Sequence, residues 1–339
     1  MPNNVFELIN FKDYFPLDLD ITDKTRLVYR PVLAPTQLKC SLEPALTEEQ
    51  LYVHMKENSN WSFKYNGNDD FYKQDCIDFL RDIDFQSFSQ YGKLVDRKYI
   101  EAKRVYLFDS YFRNFLQEIL ERIEVFLKKS TADALYYSEQ SKYRKENPKR
   151  LDIVLKTKYH LSRLILEKQD DATIKNQINQ YGVVLPWTVF RLMTFGNIAS
   201  FLVALQPEYR NKVAAYISLP LDKDDNIPAK ILLSWCNALR YLRNICSHNG
   251  RLYGRLHHTL PAFHHSDREL LVTDSENDSK TLFIYFIAMR HLILSMSIET
   301  KNFWNKKLQK FLEESNQEQV DLRHYGFPKN WMDLLAIKI

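Results

Sequence analysis

Glycine is scarce in this sequence, at 7 residues in 339. Glycine serves tight turns and close backbone approach, so a turn-rich β fold or a glycine-rich phosphate loop is excluded as the organising element. Cysteine is nearly as scarce. Cys40, Cys76, Cys236 and Cys246 are far apart and form no CxxC pair, which argues against a disulfide framework or a zinc site and fits a reducing, cytoplasmic setting. Long apolar runs are missing too. Stretches such as Phe283 to Met289 fall far short of a membrane span. Met1-Pro2-Asn3-Asn4 carries no basic stretch followed by an apolar run, so no signal peptide is expected. A strong charge of one sign is also lacking: the formal net charge is +4, which does not by itself announce a nucleic-acid binder.

What the chain does have is aromatic bulk, with 21 Phe and 20 Tyr, enough to build a core and also able to stack on bases. It also has one local concentration of charge. Between Lys142 and Lys168 stand nine basic residues against three acidic ones.

The periodicity is helical almost throughout, and the class expected is all-α, a multi-helix bundle with irregular edges. Residues 1–45, with Pro16, Pro31 and Pro35, read as an irregular leader with room for a small hairpin. Residues 46–98 read as an N-terminal helical region. It is opened by Thr47 as an N-cap before Glu48-Glu49-Gln50, and a second helix is expected from about Phe71 to Ile83. Residues 99–315 form the main helical domain and 316–339 a C-terminal tail. Val105, Phe108, Phe112, Phe115, Leu116, Ile119, Ile123 and Phe126 recur at three- and four-residue spacing and predict one long helix from Tyr99 to Tyr137. Further helices are expected at about Leu151–Lys168, Trp187–Ala204, Asn211–Ile217, Ala229–Ser247 and Ser279–Ser315. Loops are expected at 219–228 and 250–278. No internal repeat is present.

The stretch Leu239 to Tyr253 carries the chemistry. Leu232, Leu233, Cys236, Leu239 and Leu242 pack a helix that ends at Asn249-Gly250, residues that tolerate left-handed backbone angles. Arg240, Arg243, Arg251 and Arg255 bring four guanidinium groups near the imidazole of His248. That set suits RNA cleavage. A histidine can take the 2′-hydroxyl proton or return one to the 5′-leaving oxygen. An arginine fork holds phosphate oxygens as charge develops on them. Neither a metal nor another cofactor is required. At about 100° per residue, Arg243 and His248 stand roughly 140° apart on a straight helix. One copy thus makes a poor complete site, and a two-fold homodimer would supply both groups twice.

Arg243-Asn244-Ile245-Cys246-Ser247-His248 resembles the Arg-x4–6-His motif of HEPN ribonucleases, and the longer run Leu242 to Arg255 resembles the corresponding segment of the Abi abortive-infection family, its AbiD- and AbiF-like branch. Four other stretches resemble that family in the same order: Glu43 to Leu51, Glu118 to Val125, Pro186 to Gly196, and Tyr325 to Trp331. Two features depart from it, besides a long leader. Asn249 stands where a second histidine is common, and Asp84 to Tyr91 is only a weak counterpart of the family's NYYRLSGY region. The resemblance implies a HEPN-type helical domain and a metal-independent endoribonuclease toxin of anti-phage defence. It implies Arg243 and His248 as the catalytic pair, with Asn244 orienting His248 or touching RNA. Arg122 and Glu124 would support the cleft, as would Arg240, Arg251 and Tyr253 from the motif's surroundings. Some relatives work with a small structured RNA, and Lys142, Arg144, Lys145, Lys149 and Arg150 are the residues expected to bind it. The rival reading is a non-catalytic HEPN-fold module that binds RNA or dimerises. The pairs His257-His258 and His264-His265, with only Asp267 nearby, read as a polar loop able to touch RNA rather than as a metal site.

Overall fold

The longest apolar stripe in the sequence becomes the axis of the molecule. In the computed structural model, which describes residues 46–137, 155–267 and 280–339, helix α4 runs unbroken over Tyr99–Ala132. At 1.5 Å per residue it is about 50 Å long. It continues through a π-helical turn, Asp133–Tyr137. Among the described residues there are 13 α-helices and no β-strand, so the all-α expectation holds. The leader with its expected hairpin, and the residues Lys142 to Arg150, lie outside the described residues.

Before α4 come α1 (Glu48–Val53), α2 (Lys73–Leu80) and α3 (Phe85–Gly92). Thr47 begins α1 as expected, through a capping box with Gln50. Helix α3 was not anticipated; Asp84 starts it by accepting the amide of Ser87 at 2.8 Å.

After α4 follow α5 (Leu155–Glu167), α6 (Ala172–Tyr181), α7 (Pro186–Leu192), α8 (Phe195–Ala204), α9 (Pro207–Ser218), α10 (Ala229–Ser247), α11 (Phe283–Leu294), α12 (Ile298–Gln317) and α13 (Trp331–Leu335). The single helix expected over Trp187–Ala204 is two. Met193 is extended, and Thr194 opens a fresh capping box with Asn197. The helix expected over Ser279–Ser315 is also two, restarted at Ser297, whose hydroxyl accepts the amide of Thr300. In both cases the apolar stripe continues across the break while a side-chain cap offers the chain a better local partner than the helix.

Helices α3, α7, α8, α9, α10, α11 and α12 all pack on α4. The aromatic bulk goes largely into this core. Phe112 of α4 lies 4.3 Å from Phe311 of α12 and 4.9 Å from Tyr325, ring centre to ring centre. The C-terminal residues are part of the same core: Tyr325, Phe327, Trp331 and Leu335 are buried, and the indole of Trp304 donates to the carbonyl of Leu335 at 2.9 Å. Gly326 sits at φ 82°, and a Cβ there would stand 2.0 Å from Thr281 Oγ1, so only glycine lets the tail close onto this position.

Candidate active site

Helix α10 spans the predicted range, Ala229–Ser247, and buries Leu232, Trp235, Cys236, Leu239, Leu242, Ile245 and Cys246. Leu233 is only half-buried. The opposite side is polar: Asn237, Asn244 and Ser247 are exposed, and Arg240 and Arg243 are half-buried. Burial pushes the Cys246 thiol up to about 12, with Arg113 pulling the other way, so it is an inert packing group rather than a nucleophile.

The helix ends in a Schellman motif. The amide of Gly250 donates to the carbonyl of Ile245 at 2.8 Å, and that of Asn249 to Cys246 at 3.4 Å. Asn249, not Gly250, takes the left-handed angle, at φ 54°. Glycine is needed at 250 for another reason: a Cβ there would lie 2.8 Å from Ile245 Cγ2. His248 is the C-cap, outside helical geometry at φ −104° and ψ 23°, and its side chain is exposed.

The four arginines around His248 differ in their partners. Arg240 donates to Asn237 Oδ1 at 2.8 Å. Arg251 donates to the carbonyl of Tyr253. Arg255 reaches the Tyr241 hydroxyl at 3.2 Å and the carbonyl of Arg251 at 3.4 Å. The side chains of Arg243, Asn244 and His248 make no hydrogen bond or ion pair with another described residue. Among the described residues, then, one guanidinium of the four, together with the amide and the imidazole, has no partner.

Just past this turn lies a group the sequence reading missed. Asp109 of α4 is fully buried and accepts five hydrogen bonds. Its Oδ2 takes the Leu252 amide at 2.8 Å, the Tyr91 hydroxyl at 2.6 Å and Arg113 Nη1 at 3.1 Å. Its Oδ1 takes the Tyr253 amide at 3.0 Å and the Tyr325 hydroxyl at 2.9 Å. Burial raises the pKa of this carboxyl, while the donors and Arg113 oppose that rise. The signal was present in the sequence: an aspartate within the stripe of Val105, Phe112 and Leu116, with an arginine one turn later.

Tyr253 is buried against the ring of His324 at 4.7 Å and forms part of this packing. Arg122 and Glu124 lie elsewhere on α4. Arg122 stacks its guanidinium 3.8 Å over Phe303 of α12, in a groove with Glu121, Phe126 and Met296. Glu124 pairs with Lys128 at 2.7 Å. At 1.5 Å per residue, Arg122 is about 20 Å along the axis from Asp109, and neither Arg122 nor Glu124 pairs with the stretch from Arg243 to Tyr253.

The histidine loop differs from its expected solvent-facing character. His257 and His264 are buried, whereas His258 and His265 are exposed. His264 bonds to Ser266 Oγ at 2.8 Å and to the Asn226 carbonyl at 3.0 Å. Buried Asp267 bonds to His291 of α11 at 2.7 Å. His264 and Asp267 thus tie the loop to the stretch before α10 and to α11, and only His258 and His265 face outward. No cluster of three metal-ligating side chains occurs among the described residues. Of the basic segment, Arg163 pairs with Glu167 at 2.7 Å, and the five residues expected to hold a regulatory RNA fall outside the described part. No helix among the described residues is long and apolar enough to cross a membrane.

No curated protein and no solved structure matches this chain. The model of one family, described as Abi-like protein, matches residues 78–254. That span runs from the end of α2 through Asp109 and Arg113 to the turn beyond Tyr253, and it contains the whole capped end of α10. On that match, over more than half its length, the chain belongs to the Abi-like protein family.

Proposed function

We propose that this chain is an abortive-infection endoribonuclease of HEPN type, in which His248 and Arg243 carry out the cleavage and Asn244 helps place the RNA. The observation that carries the reading is that these three side chains, at a capped helix end, have no hydrogen-bond or ion-pair partner among the described residues, whereas the neighbouring arginines are bonded within the chain. The His248 imidazole takes the 2′-hydroxyl proton. The 2′-oxygen attacks phosphorus, the bond to the 5′-oxygen breaks, and that oxygen is protonated, leaving a 2′,3′-cyclic phosphate and a 5′-hydroxyl. Arg243 holds the non-bridging oxygens as their charge grows. The chemistry calls for no cofactor. A second copy, related by a two-fold axis, supplies the other imidazole for the leaving oxygen. Membership of the Abi-like family supports a role in abortive infection.

The test is digestion of RNA in the presence of a chelator by wild type, His248→Ala and Arg243→Ala. Both variants are expected to lose activity by about 10²-fold or more while keeping a melting temperature close to that of wild type, since neither side chain is bonded to another described residue. Equal cleavage by wild type and His248→Ala would remove the central claim and leave a binding module. Full activity in a proven monomer would remove the dimer.

A further inference from the structure

The turn that carries His248 is held at both ends. On one side, the amide of His248 donates to Asn244 at 3.0 Å and that of Gly250 to Ile245 at 2.8 Å, fixing the turn to α10. On the other side, the two oxygens of Asp109 grip consecutive amides, Leu252 through Oδ2 and Tyr253 through Oδ1. A two-point grip on successive peptides fixes their orientation as well as their position. Only Arg251 lies between the last amide held by α10, that of Gly250, and the first held by Asp109, that of Leu252.

A fully buried carboxylate is a costly acceptor, because burial disfavours its charge. Two lone amides could be satisfied by a carbonyl. Asp109 instead draws donors from three further places in the fold: Tyr91 of α3, Arg113 one turn further along α4, and Tyr325 of the C-terminal segment. All four elements thus meet on one side chain, and that side chain holds the turn bearing the exposed imidazole.

We propose that Asp109 is the positioning residue of the candidate active site: its carboxylate, braced by Arg113, Tyr91 and Tyr325, sets where His248 stands relative to Arg243. The proposal deepens the ribonuclease reading and rests on it for the catalytic consequence, but the positioning itself is measurable without RNA.

Asp109→Asn keeps the shape and volume. One of its two acceptor atoms becomes a donor that faces a backbone amide, so one end of the grip is lost. The experiment compares full-length wild type, Asp109→Asn, and Trp304→Phe as a control that loses a buried hydrogen bond remote from the turn. Three readouts are taken: amide exchange of the peptide containing Leu252 and Tyr253, the His248 ring signal (assigned by its loss in His248→Gln), and kcat and KM for RNA cleavage. For Asp109→Asn, exchange is expected to rise roughly tenfold or more, and the His248 signal to shift or broaden. With the imidazole displaced, kcat is expected to fall about 10- to 100-fold while KM changes little. Trp304→Phe is expected to lower the melting temperature without moving the His248 signal.

An unchanged His248 signal in Asp109→Asn, or an equal change in both variants, overturns the proposal. If wild type does not cleave RNA, the ribonuclease reading fails, and the exchange and the ring signal alone decide the positioning. If Asp109→Asn does not fold, Tyr325→Phe, which removes one donor to Oδ1, is measured in its place. A smaller change in the same sense supports the proposal, and no change overturns it.

Discussion

His257 shows how far a single side chain can depart from what its sequence neighbours suggest. It stands beside an exposed histidine, yet it is buried, 5.0 Å from the ring of Tyr285, with neither ring nitrogen hydrogen-bonded to a described residue. Burial, reinforced by the nearby charges of Arg255 and His258, lowers its pKa to about 4. Burial lowers that of His264 as well. In the unfolded chain such groups take up protons near pH 6.5, whereas folded His257 does not until about 4. The unfolded state therefore binds more protons in that window, and stability present above pH 6.5 drains away as the pH falls through it. His257 alone accounts for about 3 kcal/mol of that loss. Urea melts at pH 7.5 and pH 4.5 measure it, and His257→Leu is expected to flatten the dependence. An unchanged pH slope in the variant would show that the imidazole is not the group that titrates. Nothing in the local sequence distinguishes His257 from His258, because the groups that bury it come from α10 and α11. Asp109 was more legible: a lone acid in an apolar stripe invites a search for its partners.

At the scale of the element, the start of α4 and both ends of α10 were readable because each helix has one unbroken apolar face, and α10 also has a clear terminator in Asn249-Gly250, whereas α4 gives way to a π-helical turn at Asp133, short of the expected Tyr137. The errors fell where a short polar signal outweighs a continuing stripe. Thr194 and Ser297 split two expected helices, while Asp84 and Asp171 start two helices whose apolar residues are too few to announce them. The end of α10 permits a sharper test. Asn249 is left-handed at φ 54°, so Asn249→Ala is expected to cost about 1 kcal/mol, and Asn249→Gly little or nothing. At Gly250 the angle is ordinary and space is the constraint. Gly250→Ala presses on Ile245 and is expected to cost about 1–3 kcal/mol. Denaturant melts rank the three. A Gly250→Ala protein as stable as wild type would mean that Ile245 yields without strain.

For the whole molecule, the sequence conveyed the helical class and the order of segments but not which distant pieces meet. It marked residues 316–339 as a tail. The structure puts Val320, Tyr325, Phe327, Trp331, Leu335 and Ile337 in the core shared by α4, α11 and α12. Burying one such side chain contributes about 1.5–3 kcal/mol, and a domain's whole stability is about 5–15 kcal/mol. Truncation after Gln317 is accordingly expected to leave an unfolded chain, visible as lost helical circular dichroism and a missing melting transition. A cooperative melt in the truncated protein would contradict this. The candidate site was legible as a motif because its working residues are adjacent in sequence. Its support was not, because Tyr91, Asp109, Arg113 and Tyr325 are brought together only by the fold.

The bond between Asp109 and Tyr325 joins residues separated by 216 positions. A ribosome that has just placed Asp109 must still add all of those residues before the hydroxyl exists. At about 5–20 residues per second, that is an interval of roughly 10–40 s. During all of it the Arg243–His248 stretch is either unmade or not yet fully braced, so a segment synthesised well after the turn that carries His248 completes the support of that turn.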